Sequence, residues 1–334
     1  MARIPQETID QIRDTADIVD VVSRHVDLKK RGRNFFGLCP FHNEKTPSFS
    51  VAPEKGIYHC FGCGNGGNAV NFVMEYEKIS FVEALQELGN QMGIDVDFSG
   101  NDDSKEFFES LYEIHRGAAA LYNSTLFSDR GKNAKSYLLK RGLSEESLKL
   151  FKVGFAPEKS SFLVNKVKTK NYKRDVYEKS GLFGFSNDEF YDRFRARIMF
   201  PISNSSGRVI AFGGRVFGTE DPAKYMNSPE TPLYRKSEIF YGLHLTRDSI
   251  RQEGYAILVE GYTDLIQLFQ AGIKNVVAVS GTAFTDRHVQ QIRRFTSKVY
   301  LAYDGDSAGM SAALRAGYVL LKGGLEPHVI EIPD

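Results

Sequence analysis

Residues 255–264 read Tyr-Ala-Ile-Leu-Val-Glu-Gly-Tyr-Thr-Asp, an apolar run that is followed by two carboxylates. Short apolar runs of the same kind recur along the rest of the chain, at 276–279, 299–302 and 328–332. Helical stretches are predicted between and beside them, at 263–271, 285–296 and 307–322. Because strands that alternate with helices are typical of a parallel sheet, the chain from residue 253 onward is predicted to be an α/β domain.

Carboxylates follow two of these predicted strands. Glu260 comes directly after the first run with Asp264 behind it, whereas Asp304 and Asp306 follow the run at 299–302. Ligands of open α/β sheets bind at the carboxyl ends of the strands, so these four side chains are expected to converge. Converging carboxylates repel one another unless a divalent cation lies between them, which favours Mg²⁺ (or Mn²⁺) shared with substrate phosphates. Taken singly, each motif is also typical of a turn or a loop.

All three cysteines of the chain lie in two pairs of possible metal ligands. These pairs are Cys39-Pro-Phe-His42 and Cys60-Phe-Gly-Cys63, and 17 residues separate them. Two such turns complete the tetrahedron that Zn²⁺ prefers, and four protein ligands make the predicted site structural rather than catalytic. The alternative is three buried thiols and an unrelated histidine. His59 is a competing ligand, but next to Cys60 on a strand it should point to the opposite face.

Positive charge is clustered locally, although the net charge is only +1. One cluster contains Lys29, Lys30, Arg31 and Arg33, and a second holds the five arginines of the acid-free segment 193–215. Such clusters contact phosphate backbones in some proteins and are only solvated faces in others. Aromatic residues near the first cluster suit either the stacking of single-stranded bases or the core of the zinc module. These aromatic residues are Phe35, Phe36, Phe41, Phe49, Tyr58 and Phe61.

The composition, with 42% hydrophobic and 25% charged residues among 334, is that of a folded globular protein. No apolar run is long enough to cross a membrane, and the N-terminus lacks the apolar core of a secretory signal, so a soluble cytoplasmic protein is expected. Changes in pattern predict a β-rich unit with flanking helices at 1–98, a linker at 99–105, a mixed α+β region at 106–252 and the parallel-sheet region at 253–334. A Walker A motif, which an NTP-driven helicase would need, does not occur in the sequence.

The acidic motifs resemble those of the Toprim domain, which primases, type IA and type II topoisomerases and some nucleases share. A zinc ribbon precedes them, and the segments 193–201, 207–215 and 224–232 are similar to the polymerase core of bacterial DnaG-type primases. The resemblance to that family covers nearly the whole chain. It implies an N-terminal zinc ribbon, a mixed α+β basic subdomain and a parallel-sheet Toprim fold.

The resemblance also implies a function and a set of site residues. Members of the family make short RNA primers on single-stranded DNA from ribonucleoside triphosphates, by metal-assisted nucleotidyl transfer. Asp304 and Asp306 are expected to bind Mg²⁺, with Glu260 as a further ligand or acid/base group and Asp264 as a second-tier candidate. The residues expected at the triphosphate and the template are Arg141, Arg197, Arg215, Lys224, Tyr225, Asn227 and Lys236.

Further expectations concern partners. The family's Toprim domain continues beyond residue 334 with another acidic motif, so the third metal-binding carboxylate is expected outside this chain, which leaves the activity of the chain by itself in question. The domain that docks on the replicative helicase is also expected outside it. Guanosine tetra- and pentaphosphate are expected at the nucleotide pocket as inhibitors.

Two other functions fit the same residues. A Toprim nuclease or topoisomerase would also bind Mg²⁺ and DNA, although a topoisomerase needs a nucleophilic tyrosine. A non-enzymatic single-strand-binding module would bind DNA in a salt-dependent way and would tolerate Asp304→Ala.

Overall fold

The computed structural model describes residues 4, 6–94, 96, 102–159, 161–186, 189–219, 223–279, 281 and 283–330 of the chain. They form two compact units, Met1–Glu106 and Phe107–Asp334. None of the helices in these ranges combines the length and the apolar content that crossing a bilayer requires.

The first unit is a five-stranded antiparallel sheet with helices around it. Its strands follow the chain in the order β1-β2-β3-β4-β5. They are β1 Lys29–Arg31, β2 Asn34–Gly37, β3 Phe49–Ala52, β4 Ile57–Cys60 and β5 Gly66–Gly67, with a 3-10 helix at Pro53–Lys55. The helices are α1 Gln6–Thr15, α2 Ile18–Ser23, α3 Ala69–Glu77 and α4 Phe81–Met92.

One face of this sheet is buried and the other faces solvent. Along β4, Ile57 and His59 are exposed whereas Tyr58 and Cys60 are buried, as expected when successive side chains alternate between faces. Tyr58 stacks on Phe49 with 5.2 Å between ring centroids, and Phe72 of α3 packs edge-on against Tyr58. The zinc module therefore builds its core from part of the predicted aromatic group.

The second unit contains nine helices and ten strands among its described residues. The helices are α5 Asp102–Leu126, which begins just before the unit, α6 Lys132–Lys140, α7 Glu145–Leu150, α8 Phe162–Val167, α9 Arg174–Lys179, α10 Leu243–Glu253, α11 Tyr262–Gln270, α12 Asp286–Ile292 and α13 Ser307–Lys322. The strands are β6 Gly154–Ala156, β7 Phe183–Ser186, β8 Glu189–Asp192, β9 Arg197–Ser203, β10 Val209–Val216, β11 Tyr225–Asn227, β12 Tyr255–Val259, β13 Val276–Ala278, β14 Lys298–Leu301 and β15 Glu326–Val329. Short 3-10 helices lie at Asp129–Gly131, Lys168–Lys170 and Lys236–Glu238.

Two four-stranded sheets organise these elements. The antiparallel sheet has the order β11-β10-β9-β6, and the second sheet has the order β13-β12-β14-β15. All pairings in the second sheet are parallel, which confirms the predicted α/β arrangement. The last strand begins at Glu326, two residues before the apolar run that predicted it, because Glu326 pairs with Lys298 at the start of β14. Residues 331–332 of that predicted run lie outside the described residues.

The antiparallel and the parallel sheet share one hydrophobic core. Ile198 and Phe200 of β9 lie in it together with Val259 of β12 and Ile266 of α11. The regions 106–252 and 253–334 therefore pack as one body. Of the predicted linker 99–105, residues 99–101 lie outside the described residues, and 102–105 already belong to α5.

Candidate metal and nucleotide sites

The four predicted zinc ligands lie together in the first unit. The ligand atoms of Cys39, His42, Cys60 and Cys63 are all within 4.8 Å of one another. Cys39 Sγ is 3.8 Å from Cys63 Sγ, and Cys60 Sγ is 3.8 Å from His42 Nδ1. Tetrahedral Zn–S bonds of about 2.3 Å place two sulfurs roughly 3.8 Å apart, so both the donor set and its spacing fit Zn²⁺.

Backbone amides surround these sulfurs. Phe41 N–H donates to Cys39 Sγ at 3.4 Å, and Gly62 and Cys63 N–H donate to Cys60 Sγ at 3.3 and 3.4 Å. Burial raises the pKa of the Cys39 thiol far above its ordinary value. Burial also acts to raise the pKa of Cys60, but the Ser48 hydroxyl and these amides lower it to about 7. Because zinc binds thiolates, loading the site releases protons.

The solvent face of the first sheet carries cations and aromatic rings. Lys29 pairs with Phe36, Phe36 with Ser50, and Ser50 with His59, so these residues form one row across four strands. The guanidinium of Arg31 lies 5.9 Å from the Phe36 ring on this face. Lys30 and Phe35 belong to the other face, because Phe35 pairs with Val51 and packs against the core. Phe61, which is 73% exposed, packs on His59. Arg33 is exposed and lies 3.8 Å from Glu54. Lys29, Arg31, Phe36 and Phe61 thus line the solvent face, while Phe35, Phe41, Phe49 and Tyr58 pack in or against the core.

In the second unit, the predicted acids lie at the carboxyl edge of the parallel sheet. Glu260 follows β12, and Asp304 and Asp306 follow the neighbouring strand β14. The Asp304 backbone N–H donates to Glu260 Oε1 at 3.2 Å. Burial raises the pKa of Glu260, and the charges of Asp304, Asp306 and Asp264 raise it further. Each of the three aspartates is therefore close enough to Glu260 for the two negative charges to repel each other.

Two of these acids also cap helices. Asp264 Oδ2 accepts the Gly261 N–H at 3.0 Å at the start of α11, and Asp306 Oδ1 accepts the Gly309 N–H at 2.7 Å at the start of α13. A carboxylate offers about four lone-pair sites, so a cap uses only part of its capacity.

The acids form a looser set than the zinc ligands. In the described ranges, the Cys/His cluster is the one group of three or more such ligands whose atoms all lie within 4.8 Å. Mg²⁺ usually takes one or two carboxylates, several waters and substrate phosphates rather than an all-protein cage. The arrangement of Glu260, Asp304 and Asp306 fits an ion of that kind.

A cation–aromatic surface lies beside the acidic edge. Arg215 is 9% exposed, and its guanidinium lies 5.3 Å from the Tyr137 ring and 5.7 Å from the Tyr225 ring. The Arg141 guanidinium lies on the same Tyr137 ring at 5.9 Å. The Tyr225 ring lies 6.3 Å from the ring of Tyr262, two residues after Glu260, so this surface reaches the acidic edge. Burial raises the pKa of Tyr225, although the charge of Arg215 lowers it.

The remaining candidates differ in their surroundings. Asn227 Oδ1 accepts the Tyr262 hydroxyl at 2.7 Å, Lys224 is exposed next to Tyr225, and Lys236 begins the short helix that packs on α12. Arg197 is 3% exposed, and its guanidinium donates to the carbonyls of Gly214 and Ala223 at 3.4 and 3.0 Å. These two hydrogen bonds hold β9 against its neighbours. Arg197 could therefore contact a phosphate only by giving up hydrogen bonds to these carbonyls.

The arginines of segment 193–215 do not form one surface. Arg208 lies 3.7 Å from the Tyr112 ring centroid and 3.6 Å from Glu109, on helix α5, whereas Arg215 lies on Tyr137. Sequence reasoning missed the two tyrosines of this region, Tyr137 and Tyr262. The spacing of Tyr137 and Arg141, four residues apart on one helix face, is the signal that could have indicated the first.

Comparisons with known proteins agree with this geometry. A model of the CHC2 zinc finger matches residues 4–104, a model of the DNA primase catalytic core N-terminal domain matches 121–247, and a Toprim model matches 254–331. A DNA primase of Listeria monocytogenes is 42% identical over 344 aligned residues, which cover all of this chain and 55% of the relative. The chain thus spans little more than half the length of its curated relatives.

Solved structures extend the comparison. The zinc-binding and RNA polymerase domains of the Aquifex aeolicus primase match with 38% identity and a TM-score of 0.65, over 100% of this chain and 80% of that one. A DnaG primase catalytic domain bound to single-stranded DNA matches with 37% identity and a TM-score of 0.61, over 68% of this chain and 72% of that one. The similarity thus extends through the zinc module, the antiparallel sheet with its cation–aromatic surface and the acidic edge of the parallel sheet. The chain belongs to the family of bacterial DnaG-type primases.

Proposed function

We propose that this chain carries the primer-synthesising centre of a DNA primase, which joins ribonucleoside triphosphates into short RNA primers on a single-stranded DNA template. One observation carries the proposal. The Tyr225 ring of the surface formed by Arg141, Arg215 and Tyr225 lies 6.3 Å from the ring of Tyr262, which follows Glu260 by two residues. Groups suited to a triphosphate and groups suited to a divalent cation therefore lie side by side. A DnaG catalytic domain of similar structure binds single-stranded DNA.

Each group has a role in this proposal. Glu260, Asp304 and Asp306 would hold Mg²⁺, which when bound supplies charge neutralisation at the phosphates. Arg215 presents a planar guanidinium that can contact two phosphate oxygens at once, and the two rings beside it limit its rotamers. Lys224 and Lys236 would act as point charges on the triphosphate, and Tyr225 and Asn227 would border the nucleotide.

The acids contribute more than charge. Burial and three neighbouring carboxylates raise the pKa of Glu260, because they disfavour the charged form that a bound cation would stabilise. Asp264 and Asp306 cap the helices that carry them, which fixes their carboxylates at the edge of the sheet. Asp264 would therefore act mainly on the position of α11.

The zinc module would bind template. Lys29 and Arg31 lie on its solvent face near the exposed ring of Phe61, and the exposed cations Lys30 and Arg33 lie at the edge of the same sheet. Bases of single strands stack on exposed rings, and cations follow the backbone. The zinc ion would stabilise the turns from which this sheet is built.

Other partners rest on the family alone. We propose that the RNA primer is retained as product, that the full-length protein docks on the replicative helicase, and that guanosine tetra- and pentaphosphate compete for the nucleotide site. The place of action would be the bacterial cytoplasm, at the nucleoid.

Product analysis separates this proposal from its alternatives. The full-length protein would be incubated with single-stranded DNA and Mg²⁺, with and without the four ribonucleotides, and the products resolved on a denaturing gel. Short RNA that depends on ribonucleotides is expected. Nicked or shortened DNA in either reaction would indicate a Toprim nuclease instead, and DNA binding without any product would indicate a binding module.

A further inference from the structure

Glu44 lies among the zinc ligands without being one of the four. Its side chain is only 10% exposed, and its Oε2 is 3.3 Å from His42 Nε2. The other nitrogen of that ring, Nδ1, faces Cys60 Sγ at 3.8 Å and so points into the ligand cluster. The imidazole therefore has one nitrogen toward the metal position and the other toward a carboxylate.

The same carboxylate contacts the cysteines on both sides of the cluster. Oε1 accepts the backbone N–H of Cys39 at 2.7 Å and that of Ser48 at 3.1 Å. Oε2 accepts the Ser48 hydroxyl at 2.5 Å, and this hydroxyl oxygen lies 3.2 Å from Cys60 Sγ. Glu44 thus touches Cys39 and His42 directly and Cys60 through one side chain.

Gly62 lies close to the same edge of the His42 ring. A Cβ atom at this position would lie 2.7 Å from His42 Nε2 and 2.9 Å from the Ser48 hydroxyl oxygen. The Nε2 edge of the imidazole is therefore crowded by both the Gly62 backbone and Glu44, which leaves the ring little freedom to turn.

We propose that Glu44 is a positioning residue of the zinc site, which holds His42 in the tautomer that has its proton on Nε2 and its lone pair on Nδ1 toward the metal. An ionised carboxylate accepts hydrogen bonds only, so its 3.3 Å approach to Nε2 favours the tautomer that has the proton there. Carboxylates that contact the second nitrogen of a metal-binding histidine orient the ring and raise its basicity. The bonds to Cys39 and Ser48 extend the same control to the first cysteine and to the environment of Cys60.

Three variants of the full-length protein test this role. Glu44→Ala removes the carboxylate. Glu44→Gln keeps its size and one acceptor oxygen, but places an amide that donates where Oε2 accepted. Glu54→Gln is the matched control, because Glu54 is an exposed acid of the same module that lies near Arg33 rather than the cluster.

The readouts are zinc affinity, by competition with a chromophoric chelator, and the absorption spectrum of the Co²⁺-substituted protein. Loss of a carboxylate partner of a ligand typically weakens metal binding by about 10- to 100-fold, which is expected for Glu44→Ala. Glu44→Gln is expected to weaken binding less and to shift the ligand-field bands of Co²⁺, and Glu54→Gln to leave both unchanged.

A purely structural role predicts different results. If Glu44 only closes the loop from residue 39 to 48, Glu44→Gln lowers the thermal stability of the zinc-free and the zinc-loaded protein equally. The zinc affinity and the Co²⁺ spectrum of this variant then equal those of the parent. That result would overturn the proposal. If Glu44→Ala does not fold, Glu44→Gln alone decides.

Discussion

The Tyr262 hydroxyl donates a 2.7 Å hydrogen bond to the amide oxygen of Asn227. This bond joins the first turn of α11, two residues after Glu260, to the edge strand β11 that also carries Tyr225. The Tyr262 ring stacks on Phe200 with centroids 4.9 Å apart. One side chain thus connects the acidic edge of the parallel sheet with the cation–aromatic surface of the antiparallel sheet.

Loss of this hydroxyl is expected to reduce both stability and activity. Tyr262→Phe keeps the ring and removes the bond, which should lower the free energy of unfolding by about 1 kcal/mol. Primer synthesis by the full-length protein should fall several-fold, because the distance between the acids and the Arg215 surface is no longer fixed. Denaturant titration measures the free energy of unfolding, and primer assays measure the activity. Tyr300→Phe is the control variant in both measurements. Parental stability and activity in Tyr262→Phe would contradict this coupling.

Two glycines of the second unit should respond to alanine with opposite signs. A Cβ on Gly213 of β10 would lie 2.3 Å from the Tyr262 hydroxyl oxygen, whereas one on Gly117 of α5 meets nothing within 4 Å. Gly213→Ala forces the ring to move and should cost about 1–3 kcal/mol. Gly117→Ala should instead stabilise the helix by roughly 0.5–1 kcal/mol. Thermal melts of both variants decide, and destabilisation of equal size in the two would refute the close approach at Gly213.

Arg215→Lys should weaken nucleotide binding although the charge is kept. Lysine cannot stack on Tyr137 and Tyr225 or contact two phosphate oxygens at once. The KM for ribonucleotides is expected to rise by about tenfold, the effect of roughly 1.4 kcal/mol. Arg208→Lys is the matched control, because Arg208 also lies on a tyrosine but on α5. Equal KM values in the two variants would argue against a triphosphate contact from Arg215.

Two buried histidines should make the second unit sensitive to acid. Burial lowers the pKa of His115 and of His288 to about 4. The unfolded chain, with histidine pKa values near ~6.5, binds more protons between these limits, so the free energy of unfolding should decrease as pH falls from 6.5 toward 4. Each histidine contributes on the order of 3 kcal/mol across that window. His115→Gln should flatten the dependence measured by urea titration, and an unchanged slope would rule out His115 as a source.

Features coded by short spacings were predictable from the sequence. The four zinc ligands were predictable because each ligand pair lies within one turn. The parallel sheet was predictable because its strands and helices alternate along the chain. The caps made by Asp264 and Asp306 follow a local rule as well, since an acid just before or within the first turn of a helix commonly bonds its free N–H groups. Sequence reasoning took Asp306 as a metal ligand and Asp264 as a second-tier catalytic candidate, and assigned neither of them a capping role.

Roles that depend on tertiary contacts were not predictable. Arg197 and Arg215 look alike in the sequence, yet one is fixed by backbone carbonyls inside the sheet and the other lies near two tyrosine rings. Nothing local distinguishes Glu44 from any other acid near a cysteine pair, because its partners Cys39, His42 and Ser48 meet only when the turn closes.

The most direct test of the nucleotidyl-transfer centre is formation of the first phosphodiester bond by the full-length protein. Dinucleotide would be measured on single-stranded DNA with Mg²⁺ for the parent, for Asp304→Ala and for the control Asp286→Ala, an exposed acid of α12 that pairs with Lys322 at 3.4 Å. We predict parental yield from the control and none above the protein-free background from Asp304→Ala. Equal yields from the two variants would contradict the assignment of the acidic edge as the catalytic centre.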